Sequence, residues 1–227
     1  MSARPRSSQT GRAPISVATP QAFVAQGAQD LEAFLVEVRS QLSGAKVAHF
    51  DETGRRIEGR LQWIHSASTE TLTLLTAHRK RGVEAMHDAG VLPAFRGVAV
   101  HDGWAPYRNF SDALHALCGA HHLRELTAAH EQGQAWALGM SCLLLDTKDA
   151  VDQAKAGGRQ RLSAKTLSEL HASYRELIKL GYEENPGLAG PSDGQRPKRT
   201  KAQNLLLRLD QREREVVRFA HDFRVPF

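Results

Sequence analysis

Arg96-Gly97-Val98-Ala99-Val100-His101-Asp102-Gly103-Trp104-Ala105-Pro106-Tyr107 is the stretch that indicates the fold of this chain most clearly. Its short apolar run is typical of a buried strand, and Gly103 and Pro106 end that strand and open a loop. Asp102 is therefore predicted at the C-terminal end of a strand. The segment Ala45-Lys46-Val47-Ala48-His49-Phe50-Asp51-Glu52-Thr53-Gly54 has the same order of apolar run, aspartate and turn residues. Two aspartates presented in this way indicate one site.

The order of the predicted elements places these two aspartates together. Three strands are expected in succession over residues 45–51, 60–68 and 71–78, and short turns such as Glu58-Gly59 make neighbouring strands antiparallel. A short helix over 80–90 precedes a fourth strand over 95–102, so a crossover lays this strand parallel to the first. With a fifth strand over 113–118, the pattern predicts an α/β fold with a mixed sheet.

The remainder of the chain is predicted to be mostly helical. We expect a disordered basic tail over 1–18, an amphipathic N-terminal helix over 19–44, an α/β core over 45–130 and a helical region over 131–227. The helical region contains predicted helices over 134–156, 163–180 (with Gly181 as the residue after the last turn) and 201–223, and a mobile loop over 183–200. The apolar seam of the first helix either forms a dimerising coiled coil or packs on its own domain.

Composition indicates a soluble cytoplasmic protein. The 227 residues are 41% hydrophobic, which is ample for a core, and the formal net charge is +5. This excess of Lys and Arg favours a polyanionic partner, although it is also common on ordinary soluble proteins. Two cysteines are too few for a disulfide framework and fit a reducing compartment. The sequence predicts no membrane span and no signal peptide, because it has no apolar run of about 20 residues.

Paired aspartates at the ends of adjacent parallel strands can hold a divalent cation. Mg²⁺ takes carboxylate oxygens and keeps its other positions for water and phosphate, which is the arrangement used in two-metal phosphodiester chemistry. The alternative is that Asp51 and Asp102 only begin turns, as aspartates after strands often do. A zinc site at Cys118, His121 and His122 would need further ligands at a suitable spacing, which the sequence lacks.

Several other side chains are candidates for contact with nucleic acid. The aromatic candidates can stack on an unpaired base or pack on the loop, and the basic ones can contact phosphate or be solvated. They are Trp104, Tyr107, Arg124, Lys198, Arg199 and Lys201.

Five segments of the chain resemble the central region of bacterial insertion-sequence transposases of the sixty-six family, in both order and spacing. The likeness extends from about residue 20 to the last residue. The five segments are Ala48–Gly54, Leu61–Thr69, Lys80–Met86, Val100–Tyr107 and His115–Leu126.

This resemblance implies an RNase H-like fold of the DDE type, with a helical insertion after the fifth strand. It implies that Asp51 and Asp102 match the first two catalytic acids and hold Mg²⁺, with Mn²⁺ as an alternative. The implied activity is DNA transposition, in which hydrolysis at a transposon end frees a 3′ hydroxyl that then attacks target DNA.

The sequence departs from the family pattern at its end. In family members the Val-Pro-Phe segment leads into an Asn-rich motif that bears the third acid, a glutamate, whereas this sequence ends at Phe227. We therefore expect a catalytic-core fragment that does not cleave DNA alone. The alternatives are a noncatalytic DNA-binding or oligomerising protein that modulates an intact transposase, and a small nuclease that recruits Glu125 or another acid. The expected partners are DNA and either a second copy or an intact transposase.

Overall fold

A five-stranded mixed sheet forms the centre of the protein, in a computed structural model that describes residues 18–188 and 199–227. The strand order is β3-β2-β1-β4-β5; β1, β2 and β3 are antiparallel neighbours, while β4 and β5 run parallel to β1. The predicted α/β fold with a mixed sheet is confirmed, and it is consistent with an RNase H-like architecture. The strands are β1 Val47–Ile57, β2 Arg60–Ser68, β3 Thr73–His78, β4 Val98–His101 and β5 Leu114–Leu117.

The first strand is longer than the sequence predicted. It continues past Asp51 to Ile57, because its pairing with β4 ends at His49 while its pairing with β2 continues to the turn. Glu58 and Gly59 form that turn with φ of 50° and 76°, the left-handed conformation that suits a two-residue hairpin between twisted strands. Residues 51–66, which we call the ribbon, thus extend beyond the three-residue ladder shared with β4. Strand β3 flanks the ribbon as far as Trp63, so only its outer part, residues 55–62, is two-stranded.

Helices cover both faces of the sheet, and several of their ends differ from the prediction. The single helix expected over 19–44 is two helices that meet at Leu31, and the helix expected over 201–223 is interrupted at Arg212 and Val217. The helices are α1 Ala18–Asp30, α2 Glu32–Ser43, α3 Val83–Ala89, α4 Gly119–Glu131, α5 Ala135–Ala156, α6 Ala164–Glu184, α7 Lys201–Gln211, α8 Glu213–Val216 and α9 Arg218–His221. None of those within the described residues is long and apolar enough to span a bilayer.

The prediction that Gly181 follows the end of a helix was wrong. Helix α6 continues to Glu184, and Gly181 lies inside it against α7. A Cβ atom at this position would lie 2.5 Å from Cδ1 of Leu206. Glycine is therefore needed here for close helix packing rather than for a positive φ. Part of the expected loop over 183–200 is helical, whereas residues 189–198 and the expected tail over 1–17 lie outside the described residues.

The alternation of side chains in β4 assigns the two faces of the sheet to two cores. Val98 and Val100 pack into the core formed with α4–α9, whereas Ala99 packs into the core formed with α2 and α3. We call the side covered by α4–α9 the helical face. Phe50 belongs to the other core, so the alternation along β1 directs the next residue, Asp51, to the helical face.

The N-terminal helices are only partly anchored. Helix α1 has no buried residue, and α2 buries Val38 and Leu42 near its C-terminal end. The apolar seam predicted over 19–44 is therefore buried in its last turns alone.

Candidate active site at the ends of β1 and β4

Asp51 and Asp102 follow the paired ends of two adjacent parallel strands. The ladder between β1 and β4 pairs Val47 with Val98 and His49 with Val100. Continuing this register past the last pair brings Asp51 opposite Asp102, and both positions belong to the helical face. Asp51 is exposed, and the side chain of Asp102 is 26% exposed. The two carboxylates are thus open to solvent at one edge of the sheet.

The loop after β4 holds the carboxylate of Asp102 in place. Its Oδ1 accepts a hydrogen bond of 2.8 Å from the backbone N–H of Trp104. Gly103 between them has φ of 86°, a conformation that side chains other than glycine rarely adopt. Gly103 therefore allows the chain to turn sharply enough for the backbone to contact the side chain that precedes it.

His101 supports this loop from the other side of the sheet. Its Nδ1 accepts the backbone N–H of Gly103 at 3.0 Å, so its Nε2 carries the proton and donates to Nδ1 of His115 at 3.0 Å. The ring also stacks on Tyr107, with 4.1 Å between centroids. Burial lowers the pKa of His101 to about 3 and keeps it neutral. His101 is thus a packed, hydrogen-bonded histidine rather than a free ligand.

A buried carboxylate, Glu52, lies next to Asp51 in the chain but on the opposite face of the sheet. Its side chain is 2% exposed and accepts hydrogen bonds from the hydroxyl of Tyr107 and from Nε of Arg81, the latter at 3.4 Å. Burial raises the pKa of Glu52, and the contacts with Tyr107 and Arg81 oppose that rise. Tyr107 itself is 1% exposed, so its ring is packed in the core and does not present a face to a base.

Arg81 brings a positive charge to the carboxylates. Its guanidinium lies 3.9 Å from the ring centroid of Trp104 and 5.1 Å from that of Trp63, and these cation–π contacts fix it on two sides. Its terminal nitrogen lies 3.3 Å from Glu52 and 3.6 Å from Oδ2 of Asp102. Arg81 thus contacts the carboxylates of both Glu52 and Asp102.

A wide groove of about 430 Å³ opens beside Asp102 on the helical face. Among the described residues, the lining of this groove contains five arginines and two carboxylates, Asp102 and Glu125. Glu125 is paired with Arg208. An excess of fixed positive charge in a groove attracts polyanions. The arginines in this lining are Arg81, Arg108, Arg199, Arg208 and Arg212.

The residues predicted to contact nucleic acid fall in different places. Trp104 and Arg199 line the groove. Arg124 and Lys201 are exposed on α4 and α7 and are not part of that lining. Lys198 lies outside the described residues. Two groove arginines, Arg108 in the loop after β4 and Arg208 on α7, were not predicted as DNA-binding residues. Sequence patterns indicate that such side chains are exposed, but they do not indicate which other elements lie beside them.

The candidate ligands for a metal ion are the His, Cys, Asp and Glu side chains of the described residues. Within residues 18–188 and 199–227, no three His, Cys, Asp or Glu side chains converge closely enough to form a metal site, and this includes Cys118, His121 and His122. Two carboxylates still suit Mg²⁺, which is commonly held by one or two carboxylates together with water and substrate phosphate. The side chains of Asp51 and Asp102 are therefore of the chemical type that this ion binds.

Comparison with known proteins identifies the family. The profile described as Transposase IS66 family matches residues 6–227. Curated proteins give no match. The matched range contains Asp51, Asp102, the arginine-lined groove and all nine α-helices of the described residues. The chain therefore belongs to the IS66 transposase family.

Proposed function

We propose that this chain is the DDE-type catalytic core of an IS66 transposase and that Asp51 and Asp102 are its first two acids. The observation that carries the proposal is the parallel register of β1 and β4, which brings the two aspartates opposite each other on one face. In the intact reaction these carboxylates hold Mg²⁺ during hydrolysis at a transposon end and during strand transfer into target DNA. Mn²⁺ has the same preference for oxygen ligands.

Mg²⁺ bound there supplies a Lewis acid that neutralises charge developing on the phosphate and activates the attacking oxygen. The protein's own residues supply the rest of the site. The N–H of Trp104 orients Asp102, and the arginines of the groove neutralise the phosphates of the strand that approaches it. Arg81 offsets the charge of Asp102 and Glu52 before DNA arrives.

We further propose that the chain alone does not cleave DNA, because a DDE site needs a third acid beside the two aspartates. What supports this is the state of two other carboxylates, Glu125 in the lining of the groove and Glu52 beside Asp51 in the chain. Glu125 is paired with Arg208, and Glu52 is buried and held by Tyr107 and Arg81. Each of them is occupied by protein contacts and belongs to no three-ligand cluster there.

A second candidate function is a noncatalytic role in binding DNA or an intact transposase. The observation that favours it is the apolar surface of the N-terminal helices, where Phe23 and Val24 are each 74% exposed and Phe34 is 61% exposed. Side chains of this size on a poorly anchored helix favour association with another protein. Light scattering of the purified chain tests this second role. The role predicts an oligomer in solution, and Phe23→Ser should convert this oligomer to a monomer.

Metal binding and DNA cleavage provide the test of the first proposal. We expect Mn²⁺ to bind the purified chain, and we expect Asp51→Asn and Asp102→Asn each to weaken that binding at least tenfold, because each removes one of two charged ligands. Asp146→Asn, an exposed aspartate on α5, is the matched control. Unchanged Mn²⁺ affinity in the first two variants would refute the metal site. Cleavage of a transposon-end duplex by the wild-type chain, lost in Asp102→Asn, would refute the claim of inactivity.

A further inference from the structure

The ribbon has two faces of different character, and its register determines which residues share each face. In an antiparallel pair, directly opposed residues point to the same side, and this side alternates along the strand. Asp51 is paired with Ser66, and Ile57 is paired with Arg60 next to the turn. These two pairs therefore lie on the same face of the ribbon. We call it the Asp51 face; it contains Asp51, Thr53, Arg55, Ile57, Arg60, Gln62, Ile64 and Ser66.

The other face of the ribbon is used by the protein itself near the sheet. Glu52 and His65 are opposed there, and Glu52 binds Tyr107 while His65 lies 3.3 Å from the carbonyl of Lys80. Farther out, Trp63 stacks with Arg81. These contacts anchor the base of the ribbon and leave the Asp51 face turned to the side on which the candidate acids lie.

The outer part of the Asp51 face is open to solvent. Its residues Thr53, Arg55, Ile57 and Arg60 are exposed, whereas Gln62, Ile64 and Ser66 are half-buried. Beyond His49, β2 is the one strand that pairs with β1 in the described part of the chain. Strand β3 pairs with β2 only as far as Trp63, so residues 55–62 form a two-stranded end with no third strand beside it. A hairpin end of this kind adds little to the stability of the fold, and its surface is free to contact a partner.

The charge of this face indicates the chemistry of that partner. Arg55 and Arg60 both belong to it, and neither forms an ion pair with any described residue. Arg55 is four residues from Asp51, which at about 3.3 Å per residue is about 13 Å, or about four base-pair steps of duplex DNA. A two-stranded ribbon also has the width that the major groove of DNA admits.

We propose that the Asp51 face of the ribbon binds duplex DNA about four base pairs from the phosphate at the two aspartates. Arg55 and Arg60 contact the phosphate backbone, and the hairpin turn lies along the duplex. The position of the reacting phosphate in this proposal rests on the proposed function of Asp51. The ribbon thereby determines the direction in which the duplex leaves the site.

Duplex binding measured at several salt concentrations tests the proposal, with Arg56→Gln as the matched control. Arg56 is on the same strand and is equally exposed, but it belongs to the opposite face and donates to the carbonyl of Gly59. The probe is a fluorescent 30-base-pair transposon-end duplex, with a single strand of the same length for comparison. Circular dichroism melting confirms that each variant is folded.

We expect Arg55→Gln and Arg60→Gln each to weaken duplex binding about fivefold at 0.15 M salt and to reduce the slope of log K against log salt by about 0.9, as for one lost phosphate contact. Arg56→Gln should change neither quantity, and binding of the single strand should change less than binding of the duplex. Equal losses in all three variants, or unchanged slopes in Arg55→Gln and Arg60→Gln, would overturn the proposal. These results are independent of Mn²⁺ binding, so a failure of the metal site at Asp51 and Asp102 is detected separately.

Discussion

Replacing Arg81 with glutamine should strengthen the binding of a divalent cation at the two aspartates. The terminal nitrogen of Arg81 lies 3.6 Å from Oδ2 of Asp102, and its guanidinium is held there by Trp63 and Trp104. A metal ion binds a carboxylate oxygen at about 2.1 Å, so an ion on Asp102 would lie about 6 Å from this positive charge.

The electrostatic cost follows from this distance. A charge of +2 and a charge of +1 about 6 Å apart repel by about 1.4 kcal/mol in a medium as polar as water, which corresponds to about a tenfold change in affinity. A medium as polar as water gives the smallest repulsion at this distance, and the side chains of Arg81 and Asp102 are only 30% and 26% exposed. We therefore expect the Mn²⁺ dissociation constant of Arg81→Gln to fall at least about tenfold.

Isothermal titration of the DNA-free chain with Mn²⁺ measures the effect directly. Arg79→Gln removes the same charge from an exposed position two residues away and is the matched control. Arg81→Lys keeps the charge and should resemble the wild type. Unchanged affinity in Arg81→Gln would show that its charge does not act on the bound ion. Weaker binding would contradict the reasoning outright, since it would mean that Arg81 holds Asp102 in the geometry that the ion requires.

Three further predictions concern the stability of the fold around the site. Tyr107→Phe removes a donor to the buried carboxylate of Glu52 and should lower the free energy of unfolding by about 2 kcal/mol; in urea denaturation the loss should shrink when Glu52→Gln is also present. Gly181→Ala places a methyl group against Leu206 and should cost about 1–3 kcal/mol by overpacking; an equal loss in a Leu206→Ala background would exclude that cause. Burial lowers the pKa of His122 to about 3. Below the ordinary histidine pKa of about 6.5, this side chain therefore binds a proton in the unfolded chain but not in the folded one. The free energy of unfolding should fall by about 2 kcal/mol from pH 7 to pH 5. Thermal or urea unfolding of His122→Leu should show a correspondingly flatter pH dependence, and an unaltered one would count against the assignment.

Local patterns in the sequence were enough to predict the order and direction of the strands. The Glu58-Gly59 turn, the bounds of β2 and the parallel return of β4 all agree with the structure. These features depend on neighbouring residues, on turn geometry and on the length of the crossover between strands. The same information predicts that Asp51 and Asp102 follow the ends of neighbouring strands, and these strands are neighbours in the sheet.

The end of β1 shows where local patterns stopped being informative. The residues after Asp51 include Thr53, Gly54 and two arginines, a composition that indicates a turn when it is read alone. Pairing with β2 keeps these residues extended, because alternate residues of β1 exchange backbone hydrogen bonds with β2 across the hairpin. The position of Gly181 inside α6 has a similar origin, since the need for glycine comes from Leu206 on another helix.

The sequence was thus sufficient for the α/β class, for the parallel pairing of β1 and β4 and for the resemblance to a family of transposases, because each depends on residues close together in the chain or on a recognisable order of segments. The folded chain was needed to identify the charged residues around Asp102. Arg81 reaches Glu52 and Asp102 from a loop after β3, and the arginines of the groove come from the loop after β4 and from α7. Contacts between residues so distant in the chain arise when the sheet and its helices pack together, and no periodicity or spacing in the sequence encodes them.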